Sequence, residues 1–122
     1  MTASWSPVTR ETDALQRHGH VQTLQRVDAV WPWLADRHGA IAAVDAPHAA
    51  HPERFNFGEL AERIATAAAA FRVRGVKEGD VVALFAENSP RWLVADQGLM
   101  RAGAADAVRG ASAPVEELRY IL

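Results

Sequence analysis

The stretch FNFGELAERIATAAAAFRVRGVKEGDVVALFAENSPRWLVADQGLM, residues 55–100, carries the reading of the fold. Its first residues hold a helix-start signal: the Asn56 side chain can accept from the backbone at the third helical position, while Glu59 reaches back to the backbone of Asn56. Leu60, Ile64, Ala68 and Phe71 then fall on one stripe, with Glu59, Glu62, Arg63 and Arg72 on or near the other side, and Gly75 is the expected stop. A polar turn, Val76 to Asp80, leads into Val81 to Phe85, which is apolar at every position. Such a run without alternation predicts a strand covered on both faces, as in a parallel sheet with helices on each side. Ser89 and Pro90 open a further helix, Ser89 as the cap and Pro90 in the first turn where its missing donor is not needed. Trp92, Leu93, Leu99 and Met100 are its expected buried side, and Gly103 its end.

Working outward, Leu24, Val27, Val30, Trp31 and Leu34 recur at helical spacing and predict a helix between Thr23 and His38, kinked or broken at Pro32 and stopped at Gly39. Ile41 to Val44 suits a first strand, followed by a loop from His48 to Glu53. Residues 1–22 show no period and are expected to form an extended or poorly ordered arm, leaving residues 23–122 as the structured part. Beyond Gly103, Ala104 to Val108 predicts a third strand, Arg109 to Ala113 a loop, and Pro114 another helix start. The order strand, helix, strand, helix, strand, helix predicts an α/β fold: a partial layer of a mostly parallel sheet with flanking helices. Val115, Leu118, Ile121 and Leu122 begin an apolar stripe that nothing further in the chain covers, so the chain is expected to be truncated at its C-terminal side.

Bulk composition narrows the function classes. Hydrophobic residues make up 49% and charged residues 23% of the 122 positions, which is the balance of a globular protein able to collapse. A formal charge of -2 creates no basic field for a phosphate backbone, so nucleic acid is not an expected partner. Cysteine is absent, which removes disulfides, thiolate metal sites and cysteine nucleophiles. With no signal-peptide core and no transmembrane segment in the sequence, the expected location is cytoplasmic, with peripheral membrane association left open.

Few residues invite a chemical role. His18, His20, His38, His48 and His51 lack the spacing of a metal set and read better as solvated or capping side chains. The glycines around Gly103 and Gly110 lack the Gly-Lys-Ser/Thr ending of a phosphate loop and the spacing of a dinucleotide fingerprint. Ser89, Ser112, Asp80 and Asp96 do not form a hydrolase set, because no nucleophile elbow surrounds either serine. Trp31, Trp33 and Trp92 lie in expected helices, where packing is the simpler role.

Taken in order and spacing, three segments resemble the opening of the adenylate-forming superfamily of acyl-CoA and aryl-CoA synthetases, luciferases and adenylation domains. They are residues 55–100, the Arg101-Ala-Gly-Ala104 that follows, and the tail SAPVEELRYIL. Within that superfamily, AENSPRWLVADQGLMRAGAADAVRG is most similar to the long-chain fatty acid ligases of cyanobacterial and plastid type. The resemblance implies a parent enzyme using ATP, Mg2+ and CoA, with a fatty acid as substrate and CoA or acyl carrier protein as acceptor. It also implies that the phosphate loop, the nucleotide-binding motifs and the mobile-domain lysine lie downstream, so that these residues alone are inactive and their partner is the remainder of the same polypeptide. No catalytic or metal residue is expected here. The loop at Arg109, Gly110 and Ala111 stands where some relatives approach the nucleotide end of CoA; a plain strand-to-helix turn with a solvent-facing arginine is the competing reading. A free-standing interaction or dimerisation module derived from such a ligase is the alternative for the whole chain.

Overall fold

A computed structural model describes residues 24–122, so the expected arm at residues 1–22, with His18 and His20, lies outside the described residues. The elements are a 3-10 turn Val27–Ala29, α1 Val30–His38, β1 Ala42–Ala46, β2 Glu53–Asn56, α2 Phe57–Val73, β3 Val81–Phe85, α3 Pro90–Ala102, β4 Ala105–Arg109 and α4 Val115–Ile121. The architecture is α/β, as the periodicities require.

Helix α2 starts where its capping signal stands. Asn56 Oδ1 accepts from the Glu59 N–H at 2.8 Å, and Glu59 Oε2 accepts from the Asn56 N–H at 2.9 Å, so two orphan donors are satisfied reciprocally. Its stripe buries Leu60, Ile64 and Ala68, with Phe71 half-buried. Helix α3 is capped by Ser89 Oγ, which accepts from the Trp92 N–H at 3.1 Å, and Pro90 occupies its first position. It ends at Gly103, whose φ of 91° is the left-handed conformation that closes a helix when no side chain obstructs it.

The two helices meet closely because α3 carries glycine at the contact. A Cβ built on Gly98 would lie 2.8 Å from the Ala67 Cβ and 3.4 Å from the Ala68 backbone nitrogen. Around this contact Leu60, Ile64, Ala68 and Leu99 are each 1% exposed or less. Burying a side chain the size of Leu or Ile stabilises by roughly 1.5–3 kcal/mol, so these few residues hold much of the apolar driving force. Phe55 joins them from β2, with Trp31 of α1 and Val44 of β1 packed alongside.

The strands depart from expectation in three respects. The first strand does not enter the parallel sheet: β1 pairs antiparallel with β2, a segment expected to be loop and helix entry. Only one large apolar residue of β2, Phe55, turns inward, and a single inward position in four residues gives no readable alternation. The parallel sheet is β3 with β4, in register from Val81 with Ala105 to Phe85 with Arg109. β3 is not covered on both faces, since Val81 is 70% exposed and its other residues are half-buried.

Helix α1 is also shorter than expected. Pro32 is its third residue, inside the first turn where an N–H has no intrahelical acceptor, so it neither kinks nor breaks the helix. At the other end of the chain, α4 buries no residue completely: Leu118 and Ile121 are half-buried, while Val115, Tyr120 and Leu122 are exposed.

Adding one methyl group tests the helix contact. Gly98→Ala should lower stability by about 1–2 kcal/mol despite the better helix propensity of alanine, because overpacking a filled contact commonly costs 1–3 kcal/mol. Adding Ala67→Gly in the same chain should restore most of the loss. Urea unfolding of both variants checks this, and a Gly98→Ala chain as stable as the parent would remove the close contact from the account.

Candidate functional site

Parallel strands β3 and β4 end side by side, and ligands of open α/β sheets meet the chain just beyond such carboxyl ends. Phe85 and Arg109 are the last paired residues, and the Ala86 N–H donates to the Arg109 carbonyl at 3.0 Å, carrying the ladder one bond further. Beyond them lies a cavity of about 270 Å³ walled by Ala86, Glu87, Asn88, Trp92, Val108, Arg109 and Gly110. Two of the three sequence-predicted site residues, Arg109 and Gly110, line it; Ala111 follows in an exposed turn closed by the Ala113 N–H donating to the Gly110 carbonyl at 3.2 Å.

The charges in this cavity set what it can hold. Arg109 Nε donates to Glu117 Oε1 of α4 at 2.6 Å, and Glu87 brings a second carboxylate to within 3.3 Å of where a Gly110 Cβ would stand. One guanidinium thus faces two carboxylates. Because the Arg109 and Glu117 side chains are 52% and 42% exposed, their pair contributes no more than about 1 kcal/mol, so an anion could take the place of Glu117 at small cost. Glu87 would still oppose it.

A second polar group lies inside the fold. Asp96 of α3 is 7% exposed. Its Oδ2 accepts from Gln97 Nε2 at 2.6 Å, and Gln97 Oε1 accepts from the indole Nε1 of Trp31 at 2.6 Å, which ties α3 to α1. Asp106 of β4 brings its carboxyl against that of Asp96, and its pKa is pushed up to about 6, first by burial and then by the hydrogen bond and charge of Asp96. The sequence reading passed over this pair, although a signal was present. Leu93, Asp96, Leu99 and Ala102 stand three apart, so Asp96 lies on the buried stripe of α3.

Elsewhere, a groove of about 540 Å³ runs between α2 and α3, lined mainly by Ala67, Ala70, Phe71, Val94 and Ala95 with Arg63 and Arg91 at its edge. Among the described residues no three His, Cys, Asp or Glu side chains form a group able to hold a metal ion, and no helix is long and apolar enough to cross a membrane. These residues therefore do not fit a magnesium-bound triphosphate: carboxylates outnumber the single cation at the strand ends, and the other acid pair is buried. Ser89 is committed to capping α3. His38 lies with its ring edge-on to Trp33, 6.3 Å between centroids.

With this geometry in hand, similarity to known proteins gives the frame. Residues 31–122 match the family described as AMP-binding enzyme. Over 95 residues the chain is 42% identical to probable acyl-activating enzyme 16, chloroplastic, of Arabidopsis thaliana, which covers 78% of this chain and 13% of that protein. The same span is 41% identical to a chloroplastic long-chain-fatty-acid--[acyl-carrier-protein] ligase of Arabidopsis thaliana, again covering 13% of its length. A 2-succinylbenzoate--CoA ligase of Salmonella typhimurium is 41% identical over 75 residues, 61% of this chain and 16% of that one. Among solved structures, the N-terminal domain of FACL13 from Mycobacterium tuberculosis superposes with a TM-score of 0.75 at 19% identity, covering 81% of this chain and 24% of that one. The N-terminal subdomain of Klebsiella oxytoca NpsA gives a TM-score of 0.72 at 23% identity over 81% of this chain and 25% of that one, a likeness of fold.

Proposed function

The chain belongs to the AMP-binding enzyme family, and from that premise we propose that it serves as the opening scaffold of a longer AMP-forming ligase acting on long-chain fatty acids. In that reaction a carboxylate oxygen bonds to the α-phosphorus of ATP and pyrophosphate leaves. The thiol of CoA or of acyl carrier protein then takes the acyl group, and AMP leaves. ATP and magnesium would supply the activation, stabilised as such charge is elsewhere by cations and oriented donors. The described residues take no part in that step. Their work is to build the helix layer and the first two parallel strands on which further strands are laid.

The observation that carries the reading is the 42% and 41% identity, over 95 residues, to two proteins, one named a probable acyl-activating enzyme and the other for long-chain fatty acids and acyl carrier protein. The chain spans 13% of the length of each, so activity is proposed for a polypeptide several times longer. A cytoplasmic enzyme, at most peripherally attached to membrane, is part of the same proposal.

Within that enzyme the loop at Arg109, Gly110 and Ala111 is proposed to meet a phosphate at the nucleotide end of CoA. A phosphate oxygen would replace Glu117 on Arg109, an exchange supported by the exposure of that ion pair. The carboxylate of Glu87 sets the limit on how much affinity the loop supplies.

Two measurements follow. The longer ligase should catalyse fatty-acid-dependent ATP–pyrophosphate exchange, and the 122-residue chain should stay at background; exchange by the short chain alone, or by the ligase with aryl acids only, would overturn the reading. In the longer ligase, Arg109→Ala should raise the KM for CoA several-fold while exchange is unchanged. An unaltered KM would reduce the loop to a turn.

A further inference from the structure

Two carboxyl groups placed against each other in a partly dry interface repel when both are charged, so one of them holds its proton to a higher pH than a lone carboxyl does. At the junction of α3 and β4 the Asp106 Oδ2 is buried and meets no hydrogen-bond donor among the described residues, and only the residue's own backbone N–H favours its charged form. Asp96 has one donor, the Gln97 amide, and that amide is fixed from its other side by the Trp31 indole. Asp96 therefore cannot turn away from Asp106 without breaking a chain of short bonds that holds α1 on α3.

We propose that Asp96 and Asp106 share a proton, and that this shared proton is a pH-operated clasp between α3 and β4, linked through Gln97 to Trp31.

The charges around the pair leave it to itself. At the 3-10 turn that packs against α3, Asp28 is joined to Arg26, the residue just before the turn, at 2.8 Å. The register partner of Asp106 on β3 is Val82, which carries no charge. On the approach to β3 the Asp80 carboxylate accepts from the Lys77 N–H at 2.8 Å. Among the side chains only Asp96 acts on the Asp106 charge, and the Asp106 backbone N–H opposes it by favouring the charged form.

The sign of the dependence follows from the raised proton affinity. A carboxyl whose proton is held more tightly in the folded chain stabilises the fold at low pH, and that stabilisation is lost as pH rises from about 4 through about 6. Above that window Asp106 is charged beside Asp96, and the two repel across the junction.

Carboxyl 13C NMR of the 122-residue chain, labelled at aspartate, reads the proton directly. Asp106 should titrate with a midpoint near 6, and Asp96→Asn should return that midpoint toward the ordinary aspartate range. Thermal unfolding should show a melting temperature that falls between pH 4 and pH 7 in the parent chain. In Asp106→Asn the fall should be largely gone and the melting temperature at pH 7 higher, because the amide donates the hydrogen that the shared proton supplied. A midpoint near 4 for Asp106 in the parent chain, or a melting profile in Asp106→Asn that keeps the parent's fall, would overturn the clasp.

Discussion

The contact of Gly98 with Ala67 and Ala68 sets the distance between α2 and α3, and that distance governs the other placements. With a side chain at 98 the helices would stand apart, and Leu60, Ile64 and Leu99 could not reach their present burial of 1% exposed or less. Because α3 is held there, Asp96 and Gln97 face inward and Trp31 can reach Gln97 from α1. The left-handed turn at Gly103 then returns the chain directly into β4 beside β3. Gly103 also lies against Glu78, where a Cβ would come within 3.1–3.2 Å of that residue's atoms, so the turn before β3 and the end of α3 are packed as one corner.

From this rigid layer the apolar surface grades outward. The core lies among α2, α3, β2 and α1, while Val81, Val108, Val115 and Leu122 are 46–85% exposed along the parallel strands and the last helix. A parallel sheet of two strands has two open edges, and full parallel sheets bury theirs under helices and further strands. Val27, Ile41 and Val73 are exposed elsewhere, so it is the two unpaired sheet edges, together with the exposed side chains beside them, that mark an open side of the fold at β3, β4 and α4.

Much of this was legible in residue order. Asn56 with Glu59, Ser89 with Pro90, and Gly103 are local signals whose hydrogen bonds close within four residues, so no tertiary knowledge was needed to read α2 and α3. Strand pairing was not legible in the same way: β1 and β2 pair antiparallel across a short turn, and β2 offers one inward residue, Phe55, covered by the Arg63 guanidinium at 4.3 Å. Its identity as a strand rests on a partner and not on its own pattern. Pro32 misled in the opposite direction, since its cost depends on where the helix begins, and that is fixed by the preceding 3-10 turn. At the strand ends, Arg109 and Gly110 could be placed from the sequence, but the neutralising carboxylates could not, because Glu87 and Glu117 come from two other segments. The acid pair was hidden for the same reason: Asp96 sits on a readable stripe, whereas Asp106 reaches it only once β4 is laid against α3.

The central claim, which rests on the proposed function, is that a helix layer, α2 on α3, carries a sheet whose open side other polypeptide completes. Amide hydrogen exchange, compared residue by residue between the 122-residue chain and the longer ligase, tests it most directly. The account requires slow exchange throughout the α2 and α3 contact in both, with β4 and α4 slow only in the longer protein. Equal protection of β4 and α4 in the short chain would contradict it, for those elements would then be complete as they stand.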